Sequence, residues 1–343
     1  MTKKIERFFD DAETRTPCLV VDLDRVVENH ACMAELMTWG EIFYAVKANP
    51  APEIIARLAA SGCAFDAASP SEVAACLKAG IAPDRISYGN TVKKLSDISF
   101  AAGQGVDLFA FDSVGEIEKL AAGAPGSSVV CRVVVSNDGA RWPLTRKFGC
   151  HSDEAVALLK CAAGAGLRPA GISFHVGSQQ TDPARWCEAI TLCADLFARA
   201  ADAGLSLDVL NLGGGFPVPY GDGAVPELET LSNMIDQALD EAFSGARPRV
   251  IVEPGRAIVA NAGVIRSEVI LVAERAYDTT ERWVYLDVGR YGGLAESEGE
   301  AIRYRMDAVG CDGPSGPVVV AGPTCDSHDV LYENAMCVLP LVL

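Results

Sequence analysis

Lys47 is the first residue whose type and surroundings could support chemistry. It closes an apolar run over residues 43–50 that ends in Asn49-Pro50, which predicts a buried strand stopping at a loop. Because burial of an ammonium group lowers its pKa, such a lysine can be a free amine near neutral pH and can form Schiff bases with carbonyl compounds. The alternative is a lysine that extends from the strand end into solvent.

Three later apolar runs also end in residues that could support chemistry. His175 and Ser178 fall in the segment SFHVGS, three glycines fill positions 213–215, and Glu253 is followed by Arg256. Three successive glycines let the backbone approach an anion closely, and the nearby arginine favours a phosphate site. Taken singly, the glycines could form an ordinary loop, His175 could be a hydrogen-bonded core residue, and Glu253 could pair with Arg256.

A Schiff-base lysine and a phosphate site in one protein indicate pyridoxal 5′-phosphate as the cofactor. That cofactor needs an acid at its pyridine nitrogen, so that the ring stays protonated and can accept electrons, and Glu253 is the candidate. His175 could lie against the ring face.

The elements that must position these residues alternate between β-rich and helical stretches. Ala- and Leu-rich stretches over residues 70–79, 114–122, 152–165 and 183–203 have apolar residues at helical spacing. The alternation predicts a (β/α)8 TIM barrel, in which functional side chains gather at the C-terminal ends of the strands. A doubly wound sheet would give a similar pattern, but no GxGxxG motif follows an early strand. The predicted strands cover residues 41–49, 63–69, 86–90, 108–113, 129–135, 171–178, 207–215 and 249–256.

The pattern changes after about residue 260, where helical periodicity fades. Residues 265–275, 283–287 and 318–321 resemble antiparallel strands between Gly/Pro turns, and residues 17–22 resemble a further strand. We therefore expect a cofactor-binding barrel over residues 24–260 and a second, β-rich domain made of residues 1–23 and 261–343. The sequence stops in mid-pattern at Leu343, so we expect this domain to be incomplete at its C-terminus.

Composition excludes several classes of protein. A net charge of −17 argues against nucleic-acid binding, which requires a basic face. The 12 cysteines form no CxxC pair and there are only 4 histidines, so we expect neither a disulfide framework nor a metal site, and a reducing cytoplasm is the expected location. No stretch reaches the roughly 18 apolar residues of a membrane span, and the charged N-terminus is unlike a signal peptide.

Seven segments, in order along nearly the whole chain, resemble the alanine-racemase-like, fold-type III pyridoxal-phosphate decarboxylases that act on ornithine, lysine, arginine or diaminopimelate. One such segment would be a weak signal, whereas seven in the family's order are highly specific. The segments are residues 44–49 (YAVKAN), 65–69 (FDAAS), 147–149 (KFG), 175–178 (HVGS), 213–217 (GGGFP), 253–256 (EPGR) and 322–326 (GPTCD).

The resemblance implies roles for the residues of the barrel. Lys47 would hold the cofactor covalently, with support from Asp66 and Arg132. His175 would stack on the ring and Glu253 would pair with its pyridinium nitrogen. The cofactor phosphate would be held by Ser178, Gly213, Gly214, Gly215, Gly255 and Arg256.

The resemblance also implies a homodimer with shared active sites. Cys325 would enter from the partner subunit and reprotonate the substrate carbon after carbon dioxide leaves, and Asp326 would bind the distal amine of a small cationic substrate. Asp287 and Glu296 are further candidates for substrate binding. On the sequence alone, Cys325 could equally be one more buried small apolar residue.

The substrate implied by the resemblance is L-ornithine, with L-lysine as a second substrate, giving putrescine and cadaverine in polyamine synthesis. Diaminopimelate decarboxylases usually carry Cys-Glu where this chain has Cys325-Asp326, although Arg290 could meet a distal carboxylate, which leaves diaminopimelate as an alternative. A non-catalytic protein that binds the cofactor and a Schiff-base aldolase barrel are also compatible with parts of the pattern. Eukaryotic ornithine decarboxylases have Asp where Val288 stands, and the family's later Gly-Ala-Tyr motif has no counterpart here.

Overall fold

The structure is a computed structural model that describes residues 1–144, 147–220, 224–244, 246–276, 280–311 and 313–342. The chain divides into two compact units, which we call the barrel unit (residues 23–218 and 225–261) and the sheet unit (residues 1–22, 219–224 and 262–343). Within the described residues, no helix has the length and apolar character needed to cross a membrane. The expectation that the second domain is incomplete at its C-terminus concerns Leu343, which lies outside the described residues.

Strands and helices alternate through the barrel unit. The strands of the whole chain are β1 (Cys18–Val21), β2 (Glu41–Ala45), β3 (Ala64–Ala67), β4 (Ile86–Tyr88), β5 (Leu108–Phe111), β6 (Ser128–Arg132), β7 (Ala140–Trp142), β8 (Arg168–Ser173), β9 (Ser178–Gln180), β10 (Val209–Asn211), β11 (Arg249–Val252), β12 (Gly263–Arg266), β13 (Val269–Ala276), β14 (Thr280–Leu286), β15 (Ser315–Ala321) and β16 (Val330–Pro340). The α-helices are α1 (Lys3–Asp11), α2 (Leu23–Leu36), α3 (Pro52–Ala60), α4 (Pro70–Lys78), α5 (Leu95–Gly103), α6 (Val114–Gly123), α7 (Ser152–Gly164), α8 (Ala184–Asp202), α9 (Leu228–Phe243) and α10 (Arg256–Val259).

The barrel is closed and parallel, in the strand order β10-β11-β2-β3-β4-β5-β6-β8. The predicted (β/α)8 barrel is therefore confirmed, and each of its eight strands overlaps a predicted range, although β8 begins and ends earlier than predicted, at Arg168 and Ser173. The interior is filled by a layer of small, branched and aromatic side chains, which leaves the strand ends to carry polar groups. The buried members of that layer are Phe43, Ala64, Ala110, Val130, Ala170, Val209 and Ile251.

Two short strands of the barrel unit lie outside the barrel and were not predicted. β7 and β9 pair antiparallel, with Ala140 opposite Gln180 and Trp142 opposite Ser178. Because β9 begins at Ser178, this ribbon holds the loop that follows β8. No sequence pattern indicates the ribbon, since each strand has only three residues.

The sheet unit confirms the expected β-rich character but corrects two details. Its main sheet has the order β13-β14-β15-β16, and β1 pairs separately with β12. The single strand predicted over residues 265–275 is split into β12 and β13. The expectation of antiparallel pairing was wrong for β14 and β15, which pair parallel, because the long connection between them allows the crossover that parallel strands require.

Candidate active site

Lys47 lies just beyond the end of β2. The strand stops at Ala45, and Lys47 belongs to a short 3-10 turn over Val46–Ala48. The prediction that this lysine is buried was wrong, since its side chain is exposed. The end of β2 is fixed by a hydrogen bond of 3.2 Å from the backbone N–H of Ala45 to the carbonyl of Pro254, which brings Lys47 near the segment that carries Glu253.

Asp66 lies in β3, the neighbour of β2, and is buried. Its carboxylate accepts a hydrogen bond of 2.8 Å from the hydroxyl of Ser87. Burial, and then the negative charge of Glu253, raise the pKa of Asp66 well above its ordinary value, while Lys47 and the Ser87 bond oppose the shift. Gly89 is required beside it, because a Cβ at that position would overlap the Asp66 carboxylate.

Arg132 ends β6 and faces both an aromatic ring and several acids. Its guanidinium lies 5.3 Å from the centre of the Phe148 ring. Burial lowers the pKa of Arg132, and the charges of Glu253, Asp112 and Asp66 act against that shift. Arginine stays charged at any pH of interest, because its guanidinium is not deprotonated in proteins.

His175 follows β8 and is held in a neutral state. Burial, followed by the positive charges of Arg132 and Lys47, lowers its pKa well below the ordinary value. The backbone N–H of Gly177 donates to Nδ1 at 3.0 Å, so that the proton of the neutral ring is on Nε2. His175, Arg132 and Phe148 all line one cavity of about 510 Å³.

Glu253 follows β11 and is oriented by Asn211 at the end of β10. Oε1 of Glu253 accepts a hydrogen bond of 2.5 Å from Nδ2 of Asn211, and Oδ1 of Asn211 accepts one of 2.9 Å from the N–H of Gly213. Asn211 was not among the predicted site residues. The signal that could have identified it is its position at the end of a barrel strand, directly before the glycines.

The three glycines after β10 pass close to the rest of the site. Gly213 and Gly215 have φ values of +66° and +100°, which favour glycine. A Cβ at Gly214 would lie 2.6 Å from the carbonyl oxygen of Glu253 and 3.2 Å from Nε2 of His175. The backbone there can therefore approach a ligand closely.

Ser178 and Arg256 meet at the same end of the barrel. Nε and Nη2 of Arg256 donate to the Ser178 hydroxyl at 3.3 and 3.1 Å. Gly255, which precedes the arginine, packs tightly, since a Cβ there would lie 2.8 Å from Cβ of Ala48. A hydroxyl and a guanidinium beside a glycine-rich backbone are the donor set that suits a phosphate.

The model of one protein family matches most of the chain. Residues 23–260 match the family described as "Pyridoxal-dependent decarboxylase, pyridoxal binding domain". The chain belongs to this pyridoxal-dependent decarboxylase family. It is 37% identical over 321 residues to the lysine/ornithine decarboxylase of Selenomonas ruminantium, an alignment that covers 94% of this chain and 80% of the relative.

Solved structures resemble the decarboxylase over both units. The Selenomonas ruminantium lysine decarboxylase in complex with PLP and cadaverine has a TM-score of 0.86 and 35% identity, covering 98% of this chain and 84% of that one. The lysine/ornithine decarboxylase of Vibrio vulnificus complexed with putrescine has a TM-score of 0.84 and 31% identity, covering 98% of this chain and 87% of that one. The cofactor of the family is pyridoxal phosphate.

The residues of the decarboxylase fit this cofactor. The glycines at 213–215 leave room that a Cβ would fill, and Glu253 supplies an acid facing the barrel mouth. Ser173, at the end of β8 between Arg132 and Asn211, has a buried hydroxyl without a hydrogen-bond partner in the described part of the chain. A polar ligand at this end of the barrel would provide one.

The remaining predicted site residues of the decarboxylase belong to the sheet unit. Cys325 and Asp326 lie in an exposed loop between β15 and β16, so the alternative of a buried cysteine was wrong. Asp287 follows β14, and its Oδ1 accepts hydrogen bonds from the Ser267 hydroxyl at 2.6 Å and from the Glu268 N–H at 3.0 Å. Glu296 lies in the 3-10 turn Ala295–Glu300 and is half-buried.

Proposed function

We propose that this decarboxylase acts on L-ornithine, and also on L-lysine, and produces putrescine and cadaverine. The observation that carries the proposal is Asp326, an exposed carboxylate next to Cys325 in a chain whose relatives are named lysine/ornithine decarboxylases. A short acid suits the distal ammonium of either substrate.

We assign the residues of the barrel to binding the cofactor. Lys47 would hold it covalently, Glu253 would face the pyridine nitrogen, and His175 would lie against the ring. Asp66 and Arg132 would orient the lysine and the ring by their charges. The phosphate would be held by Ser178, Gly213, Gly214, Gly215, Gly255 and Arg256.

Bound pyridoxal phosphate supplies an electron sink for the pair of electrons left when the carboxylate departs as carbon dioxide. Glu253, oriented by Asn211, would hold a proton at the pyridine nitrogen so that this sink is effective. A neutral His175 would present an uncharged face to the ring and would not compete with Glu253 for that proton.

We assign Cys325 as the acid that completes the reaction. Its Sγ–H bond would break as a new C–H bond forms at the substrate Cα, with the thiol acting as a general acid. Asp326 would hold the distal ammonium, and Asp287 and Glu296 would add negative charge to the substrate path. Both Cys325 and Asp326 would act in the site of the partner within a homodimer.

Product analysis tests the substrate assignment. Purified enzyme loaded with cofactor would be given L-ornithine, L-lysine or meso-diaminopimelate, and the products would be identified by mass spectrometry. We expect putrescine and cadaverine. Lysine as the product from diaminopimelate, with neither amine formed, would instead favour diaminopimelate as the substrate, with Arg290 meeting its distal carboxylate.

Subunit mixing tests the shared site. Lys47→Ala, which should form no amine, and Cys325→Ala, which should form amine only slowly, should together recover about a quarter of wild-type amine formation, because half of randomly exchanged dimers are mixed and each has one intact site of two. The control mixes Lys47→Ala with the double variant Lys47→Ala/Cys325→Ala and should recover nothing. No recovery in the first mixture, despite proven exchange, would contradict the shared site.

A further inference from the structure

The loop that carries Cys325 and Asp326 is closed at its base by one buried carboxylate, that of Asp329. Residues 323–328 are exposed, whereas Gly322 at one end and Asp329 at the other are buried, with Asp329 only 2% exposed. The N–H of Gly322 donates to the carbonyl of Asp329 at 2.7 Å, and the N–H of Asp329 donates to the carbonyl of Asp326 at 3.0 Å.

The side chain of Asp329 joins this loop to a second one. Its Oδ1 accepts a hydrogen bond of 2.8 Å from the N–H of Arg290, in the turn after β14. Its Oδ2 accepts bonds from the hydroxyl and the N–H of Thr324, at 2.7 and 3.2 Å. Thr324 directly precedes Cys325, so the carboxylate fixes the backbone at the residue next to the proposed acid.

Two glycines leave the space that the carboxylate occupies. A Cβ at Gly289 or at Gly322 would overlap the side chain of Asp329, and neither glycine has a positive φ. Glycine is therefore needed at these positions for room and not for an unusual backbone conformation. Both loops close tightly around one acid.

A purely structural carboxylate is the simpler interpretation, because a buried acid needs hydrogen-bond donors wherever it lies. The placement of the donors favours a more specific role. Two of the three come from the residue before Cys325, and the third comes from a different loop. No strand ladder in the described part of the sheet unit connects residues 322–326 to residues 289–290.

We propose that Asp329 is a positioning residue, which sets where Cys325 presents its thiol and Asp326 its carboxylate. The inference rests on the proposed function, in which those two residues act on the substrate. A displacement of about 1 Å at a reacting group can cost about 100-fold in rate, so a single clamp at the base of the loop can control proton delivery.

The test replaces Asp329 with asparagine. The two oxygens of Asp329 each face a backbone N–H, from Arg290 and from Thr324. An asparagine must turn its own NH2 group towards one of them, so it cannot satisfy both whichever way the amide is oriented. Asp22→Asn is the matched control, since Asp22 is a buried carboxylate of the same unit that accepts a hydrogen bond from the Thr2 hydroxyl.

The decisive readout is the ratio of amine to aldehyde formed from ornithine. If Cys325 were out of place, a proton from solvent would reach the cofactor carbon instead of Cα, and hydrolysis would then release an aldehyde and leave the amino nitrogen on the cofactor. We expect Asp329→Asn to lower kcat/KM by about 10- to 100-fold and to raise the aldehyde fraction, with normal cofactor content. Asp22→Asn should lower only the thermal midpoint.

A double variant separates positioning from general damage. If Asp329 acts through the thiol, Asp329→Asn/Cys325→Ala should give the same aldehyde fraction as Cys325→Ala alone. A folded Asp329→Asn enzyme with the wild-type product ratio would overturn the proposal. If Asp329→Asn does not fold, Thr324→Val replaces it in the test, because it removes one of the three hydrogen bonds to Asp329. An unchanged ratio of amine to aldehyde in Thr324→Val would also overturn the proposal.

Hydrogen exchange distinguishes failure of this inference from failure of the proposed function. Asp329→Asn should speed amide exchange in residues 322–326 of the holoenzyme and leave the barrel strands unchanged. If Cys325→Ala forms amine cleanly at the wild-type rate, the proposed role of Cys325 is wrong, and exchange still decides whether Asp329 holds the loop. Unchanged exchange in this loop would refute the clamp itself.

Discussion

The exchange of Glu253 for glutamine isolates the effect of one charge. The new side chain keeps its shape, and its Oε1 can still accept the 2.5 Å bond from Asn211. In the part of the chain that the structure describes, no cation forms a salt bridge with Glu253, although Arg132 is close enough for the two charges to interact. Loss of one such contact to developing charge typically costs about 100-fold in kcat, or about 2.7 kcal/mol at about 1.36 kcal/mol per tenfold change.

The assay compares turnover and cofactor content in the same preparations. We expect Glu253→Gln to keep most of its cofactor, measured by absorbance, and to lose about 100-fold in kcat for ornithine. The pKa of Asp66 should fall, because the charge of Glu253 is one of the causes that raise it. Glu188→Gln on α8, which removes an exposed charge, is the control. Unchanged turnover with normal cofactor content would refute the assignment of Glu253.

Three further predictions concern single side chains. Borohydride should fix the cofactor to the peptide containing Lys47, and the adduct should vanish in Lys47→Ala but persist in Lys93→Met; an adduct at Lys93 would reverse the assignment. Cys325→Ala should slow amine formation and yield aldehyde, and a clean product at the original rate would show that another group donates the proton. The pKa of His175 is lowered in the folded state, so the folded protein binds a proton there less readily than the unfolded chain does. Its contribution to the free energy of unfolding is therefore present above about pH 6.5 and is lost as the pH falls below that value, by up to about 1.4 kcal/mol per pH unit. Urea unfolding of cofactor-free protein at pH 7.5 and 5.5 should show a smaller loss in His175→Gln, whereas the exposed His151→Gln should behave as wild type.

The sequence was sufficient to predict the barrel because its strands are buried on both faces. Fully buried runs such as residues 64–67 and 109–111 read as short, mostly apolar segments, and the helices between the strands have apolar residues at regular spacing. The ribbon of β7 and β9 could not be predicted, because strands of three residues carry no periodicity. The parallel pairing of β14 with β15 was missed because pairing direction depends on how the connection crosses the sheet.

Within the site, the residues with distinctive chemistry were predictable, but those that orient them were not. Glu253 stands out as an acid at a strand end, whereas Asn211 acquires a role only through its bonds to Glu253 and Gly213. Asp329 is a similar case, since its partners lie in two loops that are distant in sequence. Partners of this kind depend on tertiary contacts that a single sequence does not reveal.

Lys93 shows why burial is a poor criterion for a Schiff-base lysine. Among the lysines that the structure describes, Lys93 is the one that is buried. Burial is the main reason that its pKa is lowered to about 8. However, its Nζ lies 2.9 Å from Glu116 and donates to the carbonyls of Asn90 and Ala110 at 2.7 Å each, so all three of its protons have acceptors. An amine held in this way cannot turn towards a carbonyl carbon without breaking these contacts.

Lys47 has the opposite properties. It stands on a turn after its strand and its side chain is exposed, so a ligand can reach its amine, as the proposed exchange of cofactor and substrate at one nitrogen would require. Under that proposal, access to the amine is the property that the chemistry requires of the free enzyme. Burial is thus the wrong physical reason for selecting Lys47, and the borohydride experiment on Lys47 and Lys93 decides between access and burial as the operative criterion.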